Sequence, residues 1–145
     1  MKYRIALGAA AMLAAMGAAR AEGPDLIAVR QAAYDLNAGT FALIKQTVTT
    51  KGDVKPLEQP ARGIAKWAAV IPSMFPKGTE TGHDTKALPE IWSDSAGFQK
   101  DAAAMGAAAT KLADAAKAGD TEAVAADYKV LGGTCGACHK AYRAR

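Results

Sequence analysis

Aromatic residues are scarce in this 145-residue chain: three Phe, two Trp and four Tyr. Continuous β-branched or aromatic runs are scarce too, which argues against a β-sandwich or barrel. No block of five or more basic residues is present, so there is no electrostatic case for nucleic acid. No short repeat is visible and half of the residues are apolar, which argues against a collagen-like, purely coiled-coil or disordered chain. No nucleophile–base pair or carboxylate dyad stands out, so the chain does not read as an enzyme. What is abundant is alanine, in segments such as Ala102–Thr110 (AAAMGAAAT). Alanine loses no side-chain entropy in a helix, and a chain this rich in it favours helix.

The first 21 residues read as an export signal. Met1-Lys2-Tyr3-Arg4 is a short positive start, Ile5 to Gly17 is uncharged, and Ala19-Arg20-Ala21 places small residues at the two positions a signal peptidase reads. The apolar stretch is too short to span about 30 Å of hydrocarbon. Cleavage after Ala21 is expected, with delivery to the periplasm. The formal charge of +4 then falls to +1, because Lys2, Arg4 and Arg20 leave 15 basic residues against 14 acidic ones. No later apolar run approaches transmembrane length, so residues 22–145 form one domain with no membrane insertion.

That domain divides into four helical stretches. The first runs from about Pro24 to Thr50, with Ile27, Arg30, Tyr34, Asn37, Phe41, Ile44 and Val48 on one face by their 3-4-3-4 spacing. Lys51-Gly52 ends it. The second covers about Pro56 to Phe75, striped by Leu57, Ile64, Trp67, Ala68 and Ile71, with a late start, kink or frayed end expected at Pro60 and Pro72. Residues 76–93 are one long loop. The third starts at Ser93 or Asp94 and runs to Lys117. The fourth runs from Asp120 or Thr121 nearly to Arg145. The fold expected is all-α, an antiparallel up-down four-helix bundle. Alanine buries little area per residue, so such a chain is short of apolar core.

Both cysteines lie in Cys135-Gly136-Ala137-Cys138-His139, near the C-terminus. Cys-x-x-Cys-His is the attachment signature of a c-type haem. On a helix the two thiols share a face and can add to the two vinyl groups of one porphyrin, while His139 lies on the same side and can reach the iron. The macrocycle would supply the flat apolar body that the core lacks. A thioredoxin-like pair needs a strand before the motif. A zinc site needs four ligands, where the chain has two Cys and two His with His83 in a distant loop. A disulfide within one helical turn is strained. All three fit less well than one covalent haem c.

Three segments carry a closer resemblance. Val29-Arg30-Gln31-Ala32-Ala33 looks like a YRQ-type first-helix motif, with Val where Tyr is usual. Gly78-Thr79, followed by Pro89-Glu90-Ile91-Trp92-Ser93-Asp94-Ser95-Ala96-Gly97-Phe98, looks like a GT…P-x-[IV]-W-S-D-A-A-x-F segment. Gly132 to Arg143 matches G-x-x-C-x-x-C-H-x-x-[YF]-[RK]. In this order they resemble the cytochrome c′ family, the class II c-type cytochromes. The resemblance implies that His139 ligates iron and that Arg30 and Gln31 contact the haem propionates, where a guanidinium suits a carboxylate by bidentate bonds. It also implies that Thr85 and Lys86 border the haem, although acidic residues are common at the second of these positions. Arg143 neighbours the proximal face by the same comparison, or else is a solvated charge suited to the helix C-terminus.

The sixth iron position separates two functions. Low-spin relatives carry a first-helix Met, and here only Met74 and Met105 follow residue 21. The position facing iron aligns with Tyr34. Phenolate can ligate ferric iron, but the ordinary phenol pKa near 10 makes it scarce. The expectation is a vacant sixth site under a Tyr34 lid, with Met105 as core filler and Met74 a remote candidate ligand. His83 is expected to be simply solvated. The function implied is a five-coordinate, high-spin periplasmic haem protein that binds nitric oxide or carbon monoxide. The alternative is a one-electron carrier with a filled sixth position and a redox partner protein. Relatives are often homodimers through the first two helices.

Overall fold

The computed structural model describes residues 23–145, so the export-signal reading lies outside the described residues. Five α-helices follow one another: α1 (Leu26–Thr50), α2 (Glu58–Val70), a short α3 (Glu90–Ser93), α4 (Ser95–Ala118) and α5 (Thr121–Tyr142). The four long ones make the expected all-α bundle. Asp25 caps α1 by accepting from the backbone N–H groups of Ile27 and Ala28. Asp94 and Asp120 do the same for α4 and α5. Each supplies an acceptor to N–H groups that the first turn leaves unpaired.

The predicted ends shift for local reasons. The left-handed residue closing α1 is Lys51 itself, at φ 53°, rather than Gly52. Pro60 falls in the first turn of α2, where its missing N–H is harmless, and the helix continues through it. Pro72 sits in a 3-10 turn, Ile71–Met74, that ends the second stretch before Phe75. The expected loop contains α3. The last helix ends at Tyr142, near Arg145 as expected, where Ala87 and Arg143 form an antiparallel bridge. Leu88 N–H donates to the Tyr142 carbonyl at 3.1 Å and Ala144 N–H to that of Lys86 at 2.8 Å.

The core lies where α4 packs closely on α2 and α5. Alanine makes this possible: Ala61, Ala68, Ala108, Ala109, Ala113 and Ala116 are buried, and even a Cβ at Gly106 would touch that of Ala68 at 3.4 Å. Ile44, Leu57, Leu112, Val124 and Leu131 fill the larger gaps, and Met105 is buried as expected. Helix α1 touches α2 and α5 far more sparingly. Its inward face meets them through aromatics, with Tyr34 edge-on to Trp67 and Phe41 stacked on Tyr128.

Candidate haem site

The predicted site residues lie on α1, on the loop that follows Met74 and on the last turns of α5. Cys135 and Cys138 are unpaired and half-buried on α5. Burial pushes both thiols up, Cys138 to about 11, with Asp101 contributing. His139, on the same helix, is exposed. Partial desolvation and then the Arg143 charge hold its pKa below the usual value, which favours the neutral imidazole.

Across from Cys138 stands Tyr34. Its pKa is raised well above the ordinary phenol value, first by burial and then by the Cys138 sulfur. Tyr34 therefore stays a neutral phenol at physiological pH. Its ring centroid lies 5.4 Å from that of Trp67 at an interplanar angle of 84°.

Arg30 is held by the loop. It is 1% exposed. Nη1 donates to the Met74 carbonyl (3.1 Å) and Thr79 Oγ1 (2.8 Å). Nη2 donates to the Thr79 carbonyl (2.7 Å) and Thr85 Oγ1 (3.2 Å). The guanidinium carbon lies 4.2 Å from the Phe75 ring centroid. Four of five N–H donors thus hold residues 74–85. Only Nε–H is left over. Gln31 likewise donates to the His83 carbonyl at 2.8 Å. These two residues are first of all anchors for the loop.

The other expected site residues are arranged around that loop. Thr85 Oγ1 also accepts from the Ala87 N–H, at 3.3 Å. The Lys86 side chain is exposed, and only its carbonyl is engaged. Met74 meets Arg30 through its backbone. Arg143 is exposed beside His139. His83 is not simply solvated: Nε2 lies 2.6 Å from Asp25 Oδ2, although both side chains are about half exposed. The loop turns there through His83 (φ 47°) and Asp84 (φ 51°), left-handed conformations that non-glycine residues rarely adopt.

Sequence reasoning missed three contributors. Trp67 read only as part of an apolar stripe. Its indole Nε1 is buried without a partner among the described residues, and an unpaired buried donor of this kind costs about 1–3 kcal/mol. Phe75 read as a helix end, yet it carries the Arg30 guanidinium. Asp94 read only as a cap, yet it also accepts from the Tyr142 hydroxyl at 2.8 Å. Residues this far apart in sequence leave no periodic signal.

The donor set fits a haem c. Two thiols three apart lie on one helical face, a neutral imidazole stands next to them, and the helix opposite is loosely packed and lined by aromatics. The orphaned indole N–H beside Tyr34 adds a donor awaiting an acceptor. No helix among the described residues is long and apolar enough to cross a membrane.

A family model, Cytochrome C′, matches residues 25–143. The cytochrome c′ of Rubrivivax gelatinosus is 33% identical over 121 residues, covering 82% of this chain and 94% of that one. Among solved structures, cytochrome c′ from Thermochromatium tepidum superposes with a TM-score of 0.77 at 30% identity, covering 83% of this chain and 95% of the other. The nitric oxide complex of a mutant cytochrome c prime from Alcaligenes xylosoxidans gives 0.75 at 33% identity, covering 83% and 94%. The shared fold, the C-x-x-C-H geometry and these likenesses lead to one conclusion: the chain belongs to the cytochrome c′ family.

Proposed function

We propose that this chain is a periplasmic haem protein that holds one haem c through thioether bonds from Cys135 and Cys138, with His139 as its only protein ligand to iron. When bound, the haem supplies a redox-active iron able to bind diatomic gases. The protein's own residues set how that iron is reached. Cys135 and Cys138 fix the position of the macrocycle on α5, and His139 presents a neutral imidazole. Arg30 and Gln31 anchor the loop of residues 74–85 to α1. Tyr34, near Cys138, would restrict the approach of a gas to the bound iron.

The observation that carries the five-coordinate reading is what α1 offers near Cys138: a tyrosine and no methionine. Burial keeps Tyr34 a protonated phenol, which is a poor iron ligand. A lid that does not itself ligate leaves the sixth position to a small gas. The relative from Alcaligenes xylosoxidans forms a nitric oxide complex and, in another variant, a carbon monoxide complex, which supports nitric oxide and carbon monoxide as ligands here.

A homodimer through α1 fits the same reading. Val29, Leu36 and Leu43 are exposed on its outer side, Leu36 at 75%, near the small residues Ala32 and Gly39. One similar solved cytochrome c′ shows ligand-controlled dimer dissociation. One-electron exchange with a redox partner protein is compatible with such an iron.

Mass spectrometry of protein matured with the c-type assembly machinery tests the attachment. The expected mass is that of residues 22–145 plus one haem, with the adduct abolished in Cys135→Ala/Cys138→Ala. An unmodified mass with free or paired thiols would contradict the proposal.

A further inference from the structure

The turn that carries His139 is the last full turn of α5, and a helix end ordinarily frays. Here it is pegged on two sides. On one side the main chain bridges to the loop, as Leu88 N–H donates to the Tyr142 carbonyl. On the other, Tyr142, three residues after His139 and one turn along, buries its ring to 6% exposure against Phe98. Its hydroxyl donates to Asp94 Oδ2 at 2.8 Å, while Asp94 Oδ1 accepts from the Gly97 N–H at 3.1 Å. One carboxylate therefore caps α4 and holds the end of α5.

The contact demands a missing side chain. A Cβ at Gly97 would lie 2.5 Å from the Tyr142 hydroxyl and closer still to Asp94 Oδ2. Real Cβ atoms do not come this close, so with any other residue at position 97 the Asp94 carboxylate and the Tyr142 hydroxyl would have to shift. The bond also pushes the Tyr142 phenol up to about 12.

We propose that the Tyr142 hydroxyl, bonded to Asp94 across the gap left by Gly97, is the positioning group of His139: it fixes the direction from which the imidazole approaches iron. Tyr142 touches neither the iron nor a gas ligand and acts through the backbone of the turn it shares with His139. The inference rests on the assignment of His139 as the iron ligand.

The test is the iron–histidine stretching band in resonance Raman spectra of the ferrous, haem-loaded protein. The wild type is expected to show one narrow band. Tyr142→Phe keeps the ring and removes only the hydroxyl; its band is expected to shift to lower frequency and broaden. Gly97→Ala, which keeps both partners but forces them apart, is expected to give the same change. Asp94→Asn leaves one acceptor oxygen for two donors, the Tyr142 hydroxyl and the Gly97 N–H, and its band is expected to move in the same direction as that of Tyr142→Phe. Leu57→Ala is the control for simple destabilisation. Leu57 is buried at the other end of the bundle, beside the C-terminal part of α4, and that variant is expected to melt earlier with an unmoved band.

Superimposable bands in the wild type and both the Tyr142 and Gly97 variants would overturn the proposal. So would a Leu57→Ala band displaced as far as that of Tyr142→Phe. A haem-loaded wild type with no iron–histidine band would remove the ligand assignment itself, and the proposal with it.

Discussion

Replacing Arg30 with methionine puts the loop anchor to a quantitative test. Methionine keeps most of the stem and its packing on Phe75 while deleting all four guanidinium bonds. Hydrogen bonds from a charged donor contribute about 1.5–3 kcal/mol each, and taking the lower figure four of them contribute about 6 kcal/mol. The cation over the Phe75 face adds about 1 kcal/mol. Against these stands the several kcal/mol cost of desolvating a buried guanidinium. Relief comes too from Thr79 Oγ1, which already donates to the Pro76 carbonyl and needs no replacement partner. The net expectation is a loss of about 3 kcal/mol. Urea unfolding of the haem-loaded protein, followed by circular dichroism, reads this as a lower midpoint at unchanged m. Hydrogen exchange is expected to accelerate most in residues 79–88, which lose their hold on α1. Arg30→Lys should fall between, since an ammonium cannot fork across the same four acceptors. A change in stability within about 0.5 kcal/mol, as for an ordinary surface substitution, would refute the anchoring role.

Tyr34→Ala removes the lid, and carbon monoxide is then expected to bind more tightly by roughly 1–3 kcal/mol, the scale of relieved overpacking; unchanged affinity by flash photolysis and titration would show that the ring does not stand in the way. Asp25 has its folded pKa held below 3.8, first by the Ala28 N–H bond and further by His83, so its charge stabilises the fold above pH 3.8 and ceases to do so as the pH falls through the folded value. Thermal melts of Asp25→Asn should therefore lie below the wild type at neutral pH and meet it in acid; a gap that persists below the folded pKa would contradict the assignment. Removing the haem takes away roughly 400 Å² of buried apolar contact, on the order of 10 kcal/mol at about 25 cal/mol per Å², comparable with a whole domain's net stability. The apo-chain should melt without cooperativity, and a native-like apo melt near the holo value would refute the haem as core filler.

Much of this was legible in the sequence because it is local. The inward face of α1, from Ile27 through Ile44, follows from helical period alone, and Asp94 and Asp120 announce the starts of α4 and α5 by their chemistry. The C-x-x-C-H spacing names its cofactor without any tertiary information. What escaped depends on distant partners. Thr79 and Thr85, about fifty residues on from Arg30, accept from its guanidinium. His83 looked like a solvated loop residue because nothing near it in sequence shows that Asp25 lies 2.6 Å away. The bridge between Ala87 and Arg143 at the end of the last helix gave no sign, since it is non-local. Gly97 occupies a variable position in its motif, and its closeness to the Tyr142 hydroxyl arriving from α5 and to the Asp94 carboxylate appears only in three dimensions.

The central claim is that His139 is the only protein ligand to a covalently held iron, with the opposite side left to a gas under a neutral Tyr34. The absorption spectrum of the dithionite-reduced protein, before and after carbon monoxide, tests it most directly. The expected result is a five-coordinate high-spin ferrous spectrum that converts on carbon monoxide to a six-coordinate low-spin one. A protein that is low-spin in both oxidation states and unmoved by carbon monoxide would contradict it, and would make the chain a one-electron carrier with Met74 the first residue to replace.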